Sequence, residues 1–188
     1  MKWRPGMGLI VALVIMTALA LPLASLFFFR IYENQLIHQT EAELIGQAAV
    51  LAAVMEREIE ATLPADTPLG VVVPGAPADP DMPYAPILPS LDLTGDEILG
   101  PRPPAQMPAV PSDSAFAALG ERLAPVLVEV QRVTLAGFRL LDPRGVVIAG
   151  REEVGQSLAH VAEVAAALHG DFRAVMRVRI SKRSEEHT

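Results

Sequence analysis

The sequence predicts an α+β protein hung from a single membrane helix. Three observations carry that prediction. One uncharged apolar run lies near the N-terminus, a cluster of prolines cuts the remaining chain in two, and helical spacings flank a strand–turn–strand pattern behind it. The expected organisation is a stub at 1–6, a membrane helix at 7–29, a long helix at 30–63, and a proline-rich acidic insertion at 64–111. A small antiparallel sheet with flanking helices follows at 112–182.

The membrane helix rests on Gly8 to Phe29, GLIVALVIMTALALPLASLFFF, which holds no charged residue. With Met7 the run is about 23 residues and about 34 Å long as a helix, enough for a hydrocarbon core of ~30 Å. Its thirteen Leu, Ile, Val and Phe residues favour insertion by about 4–8 kcal/mol. Pro22 is tolerated inside a span. Lys2 and Arg4 in front and Ala18-Leu19-Ala20 within also fit a cleaved signal peptide, but the run outlasts the 7–15 apolar residues such a signal has. The uncompensated Lys2 and Arg4 place the N-terminus in the cytoplasm and everything from Arg30 outside, which in a bacterium means an inner-membrane protein facing the periplasm.

The totals narrow the rest. At 188 residues there is room for one ordinary domain beside the anchor, and a net charge of −7 disfavours nucleic acid as a partner. The absence of cysteine removes disulfides and thiolate metal sites. Thirteen of the seventeen prolines fall between Pro64 and Pro111.

From Arg30 to Leu63 nothing interrupts a helix. Leu44, Ala48, Leu51 and Met55 follow a 4-3-4 spacing, extended by Ile37 and Ile59, with Glu41, Glu43, Glu56, Arg57, Glu58 and Glu60 as the charge around the stripe. Two readings are open: a seam between two copies of the helix, or a lid on the domain's own core. In Pro64 to Pro111 the prolines remove donors and fix φ, so neither a helix nor an inner strand is expected, and the segment reads either as extended, polyproline-like and tethered or as wholly disordered. Val71-Val72-Val73, Leu91-Asp92-Leu93 and Ile98-Leu99 are the patches that can tether this extended, acidic segment to the domain.

Ser112 or Ser114 is placed to cap the next helix, with Phe116, Leu119, Leu123, Val126, Leu127 and Val130 inward and a kink at Pro125. Phe138 to Leu141 and Val146 to Ala149 read as strands joined by Asp142-Pro143-Arg144-Gly145, the residues a type I turn prefers. A helix capped by Ser157 should follow, with Leu158, Val161, Ala165 and Leu168 inward, His169 in its last turn and Gly170 as its stop. Phe172 to Ile180 alternates as a half-buried strand.

The run Leu141-Asp142-Pro143-Arg144-Gly145-Val146-Val147-Ile148-Ala149-Gly150, then Gly155-Gln156-Ser157-Leu158 and Glu163-Val164 to Gly170, resembles the PAS-like (Cache-type) extracytoplasmic sensor of bacterial receptors. With the anchor and long helix in front, the layout is similar to the sensory region of membrane-bound sensor histidine kinases of two-component systems. The resemblance implies a homodimer through membrane and juxtamembrane helices and a small-molecule or envelope signal of unknown identity. It also implies a response regulator as partner of a region beyond this chain, with ATP and Mg used in that kinase core. The same module on a chemotaxis receptor or diguanylate cyclase, and a non-signalling periplasmic scaffold, are the alternatives.

The chain departs from the pattern in ways that imply a truncated sensor. Three strands are expected where a PAS-like sheet usually has five. No second span follows, and no histidine precedes an acidic residue as in a phosphoacceptor box: His38 precedes Gln39, His160 Val161, His169 Gly170 and His187 Thr188. Arg183 to Thr188 can be encoded by AGA TCG GAA GAG CAC ACG, which resembles the start of a widely used sequencing adapter, so the natural chain is expected to diverge after Lys182.

No catalytic, cofactor-binding, metal or ligand-binding residue is singled out. Four histidines without HxxxH or HExxH spacing do not make a metal site. Ser157, His160 and Glu163 lie on neighbouring turns, whereas a nucleophilic triad draws on separate elements. Arg139, Arg144, Arg151, Arg173, Arg177 and Arg179 form a basic surplus. It is read either as anion recognition or as attraction to the acidic insertion or to lipid headgroups.

Overall fold

A computed structural model describes residues 6–70 and 86–178. The stub carrying Lys2 and Arg4, the Val71-Val72-Val73 patch, and Arg179 to Thr188 with the adapter-like tail lie outside the described residues.

Helix α1, Met7–Thr62, is one unbroken element of 56 residues that runs through Pro22. It is the one described helix long and apolar enough to cross a membrane. Within the apolar stretch the Thr17 hydroxyl donates to the Leu13 carbonyl. The helix ends because Leu63 precedes Pro64: Leu63 is extended (φ −93°, ψ 145°), as a residue before proline must be, while its N–H still donates to the Ile59 carbonyl.

Past a short strand β1, Ile98–Leu99, comes helix α2, Ser114–Thr134. Its N-cap is Asp113 rather than either serine, because the Ser112 hydroxyl is engaged with Asp142 at 2.8 Å. The helix passes through Pro125 without ending. Phe116, Leu119, Leu123 and Leu127 are buried, whereas Val126, expected inward, is 38% exposed. Strands β2, Arg139–Leu141, and β3, Val147–Gly150, form the expected antiparallel hairpin. The turn closes through the Gly145 N–H to the Asp142 carbonyl, with Gly145 at φ +81°.

Leu140 faces Ala149 and Leu141 faces Val147, so Ile148 is an extra residue in β3. The bulge lets consecutive residues share a face. Ile148 joins Phe116, Leu119 and Leu123, Ala149 joins Leu51 and Leu127, and Val147 turns the other way onto Leu158 and Val161. β3 is therefore sandwiched between α1 and α2 on one side and the segment leading into α3, Ala162–Leu168, on the other.

Two expectations need correction here. The last helix starts at Ala162, not behind Ser157: Ser157 is a bridge residue paired with Val146 and Gln106. The 172–180 segment does not extend the hairpin. Only β4, Met176–Arg177, is a strand among the described residues, and it pairs in parallel with β1 in a sheet of its own. The reason is that the outer edge of β3 is already taken. The Val147 N–H donates to the Gln156 carbonyl, and Ser157 in turn exchanges two bonds with Gln106 of the insertion. Over the described residues the architecture is thus α+β, with a long apolar N-terminal helix and two small two-stranded sheets in place of one antiparallel sheet.

Candidate functional site

Among the described residues, one acidic side chain of α1 holds the insertion. Glu41 is 5% exposed, and its Oε2 accepts the N–H groups of Ser90 and Leu91, each at 2.9 Å. Asn34 Oδ1 accepts the Leu93 N–H one turn of loop further on. This is the tether expected of Leu91-Asp92-Leu93, and β1 is the tether expected of Ile98-Leu99. The loop between them is a tight turn. The backbone N–H and hydroxyl of Thr94 hold the Asp92 carboxyl below its usual value, helped by the charges of His38 and Arg30.

Between this strap, α1 and the segment before β4 lies an open groove of about 520 Å³, within the size range of small-molecule sites. Its walls are Ile37, Leu44 and Ile45 of α1, Leu91 of the strap, Phe138 and Phe172, with Glu41 in the α1 wall and Arg173 also lining it. A second opening of about 460 Å³ shares Ala48, Phe138 and Arg173 and extends to Glu163. The Oε1 atom of Glu41 is buried and has no hydrogen-bond partner among the described residues.

The α1 stripe therefore divides. Leu51, Met55 and Ile59 pack on the core formed by α2 and β3, whereas Ile37, Leu44 and Ala48 line the groove. Glu41, expected among the solvated charges, sits on the stripe itself. The signal was its spacing, three residues before Leu44 and four after Ile37.

The arginines are mostly matched within the module. Glu153 takes Arg139 at 2.9 Å and Arg102 at 2.6 Å, joining insertion and hairpin. Arg177 grips Glu163 with two bonds, at 3.0 and 2.9 Å, and donates to the Gly100 carbonyl. Arg144 reaches Asp113 and the Pro111 carbonyl. The insertion thus supplies carbonyls and Arg102, not its carboxylates, to these contacts. Burial pushes the Glu153 carboxyl up, but Arg102 and Arg139 outweigh it and leave it below its usual value. Glu163 is treated alike, its burial outweighed by Arg177, its own backbone N–H and Arg173. The same Glu163 bond raises the Arg177 guanidinium. Arg151 and Arg173 have no ion pair among the described residues.

Ser157, His160 and Glu163 each have a different partner: the strand bridge, the Pro104 carbonyl at 3.1 Å and Arg177. They do not form a relay. His169 is the C-cap of α3, with Nδ1 2.7 Å from the Ala165 carbonyl, and Gly170 at φ +88° ends the helix as expected. Among the described residues no three His, Cys, Asp or Glu side chains stand close enough to hold a metal. Comparison with family models, curated proteins and solved structures finds no match to this chain.

Proposed function

We propose that the chain is the membrane-anchored extracytoplasmic input region of a two-component sensor histidine kinase, with a PAS-like (Cache-type) module outside the inner membrane. The observation that carries this reading is α1. The same unbroken helix that is apolar enough to cross the bilayer supplies Leu51 to the module's core and Glu41 to the groove wall. Glu41 lies 12 residues past Phe29 (41 minus 29), about 18 Å along the axis. A ligand wedged between α1 and Phe172 changes how the module sits on that helix, and a rigid helix carries the change through the membrane.

The receptor works as a homodimer, and the module dictates which face of α1 pairs. Since Leu51, Met55 and Ile59 are used internally, the partner helix meets the opposite face, where Gly46, Ala49 and Ala53 are exposed. The kinase core that uses ATP and Mg, and its response regulator, belong to the part of the receptor beyond Lys182.

The test has two arms. The reading frame past the codon for Lys182 should encode a second apolar span, a phosphoacceptor histidine and an ATP-binding core. A stop codon there, methylation helices or a cyclase motif overturns the kinase reading. The chain has no cysteine, so single replacements report cleanly. Ala49→Cys should cross-link between copies in membranes and Met55→Cys should not, and the reverse pattern sinks the pairing.

A further inference from the structure

We infer that the groove along α1 binds a small apolar amine and that Glu41 recognises its nitrogen. The inference deepens the receptor reading by naming the class of ligand the module takes. It rests on that reading only for the use made of binding.

Three observations converge. The Ser90 and Leu91 N–H groups both go to Oε2, which fixes the carboxylate and leaves Oε1 as an oriented acceptor. That oxygen is buried and has no donor among the described residues, a state that native structures rarely leave unanswered. The groove that Glu41 lines is otherwise largely apolar, walled by Ile37, Leu44, Leu91 and Phe172, and the Thr40 hydroxyl in the same wall is spent on the Leu36 carbonyl. A ligand that satisfies this site carries one strong donor on an apolar body.

Charge selects among donors. An ammonium makes a charge-assisted bond to a carboxylate, roughly twice as strong as a neutral hydroxyl's. An apolar acid brings a second acceptor against Oε1 and is rejected. Arg173 also lines the groove but is exposed, so solvent screens its charge far more than that of the buried Glu41 carboxylate. Gln47 Oε1 also lacks a partner, yet Gln47 is not part of the groove wall.

The full chain in neutral detergent, titrated with 2-phenylethylamine, 2-phenylethanol and 3-phenylpropionate, tests this by calorimetry and by amide resonances of Ser90 and Leu91. The amine should saturate and shift those two amides, the alcohol should bind about tenfold more weakly or worse, and the acid should not bind. Glu41→Gln keeps an oxygen for Ser90 and Leu91 but puts an NH2 group where the free acceptor was. It should lower amine affinity about tenfold or more while both amides stay protected. Leu44→Trp fills the groove without touching those bonds and should abolish binding.

Equal binding of amine and alcohol, or unchanged affinity in Glu41→Gln, overturns the inference. So does a disulfide between two copies of Leu44→Cys, or a Leu44→Cys thiol that a maleimide cannot reach because the chain's own segments already cover the groove. None of these outcomes bears on the reading frame past Lys182, so ligand class and receptor identity fail separately.

Discussion

Asp142 shows how a single buried carboxylate can organise a hairpin. It is 2% exposed, its Oδ1 accepts the N–H groups of Arg144 and Val146 at 2.9 Å, and its Oδ2 takes the Ser112 hydroxyl. The turn, the start of β3 and the residue before α2 are thereby joined at one side chain. Asp142→Ala orphans the buried Val146 N–H and two further donors and should cost about 3 kcal/mol. Asp142→Asn keeps the Oδ1 acceptor and can donate its amide to Ser112, so its cost should stay below about 1 kcal/mol. Urea unfolding of the two variants decides. If Asn costs as much as Ala, the charge matters and the acceptor geometry does not. The Asp-Pro-Arg-Gly order made the turn legible in the sequence, but nothing local announced that Ser112, thirty residues earlier, closes the shell.

Among the elements, α2 and β3 meet at a glycine. A Cβ on Gly120 would overlap the carbonyl oxygen of Ile148, so α2 lies directly against the bulged strand. Gly46 of α1 is the contrasting case, a helical glycine with no atom within 4 Å of where its Cβ would stand. Gly120→Ala should therefore destabilise by about 3 kcal/mol, while in the unpaired monomer Gly46→Ala should stabilise by about 0.5–1 kcal/mol through helix propensity. Melts of the two variants in micelles should shift in opposite directions, and a common direction would show that helix propensity rather than close approach governs Gly120. The same contrast explains what could be read in advance. Periodicity located the outer half of α1 and α2, because their partners bury one face of a regular element, and the Asp-Pro-Arg-Gly turn located the hairpin. It missed the start of α3 and the pairing of β4, because Ser157 and Met176 are placed by Gln106 and Ile98, residues of a proline-rich stretch with no period to read. Glu41 was hidden for the same reason: its donors lie 49 and 50 residues away.

Across the whole molecule, the hydrophobic core and the straps are held by different physics. Phe116, Leu119, Leu123 and Ile148 need no charge, whereas insertion and terminal segment are fastened by Glu153 to Arg102 and Arg139 and by Glu163 to Arg177. Both glutamates titrate below the ordinary 4.5 in the folded chain. A depressed carboxyl contributes stability that is complete above the unfolded value and disappears as pH falls through the folded one. Acidification below 4.5 should therefore release the straps while the α1–α2–hairpin core persists. Amide exchange is the measurement: between about pH 6 and about pH 3.5, and after correction for intrinsic rates, protection at Gln106, Ser157 and Val178 should fall more than protection at Leu119. In the Glu153→Gln, Glu163→Gln double variant the straps should already be weakened at the higher pH and should lose little more on acidification. If the variant keeps the wild-type acid response, these two carboxylates are not what fastens the groove's walls. The groove between α1 and the strap would then owe its shape to the Glu41 and Asn34 hydrogen bonds and to the apolar contacts of Leu91 and Phe172.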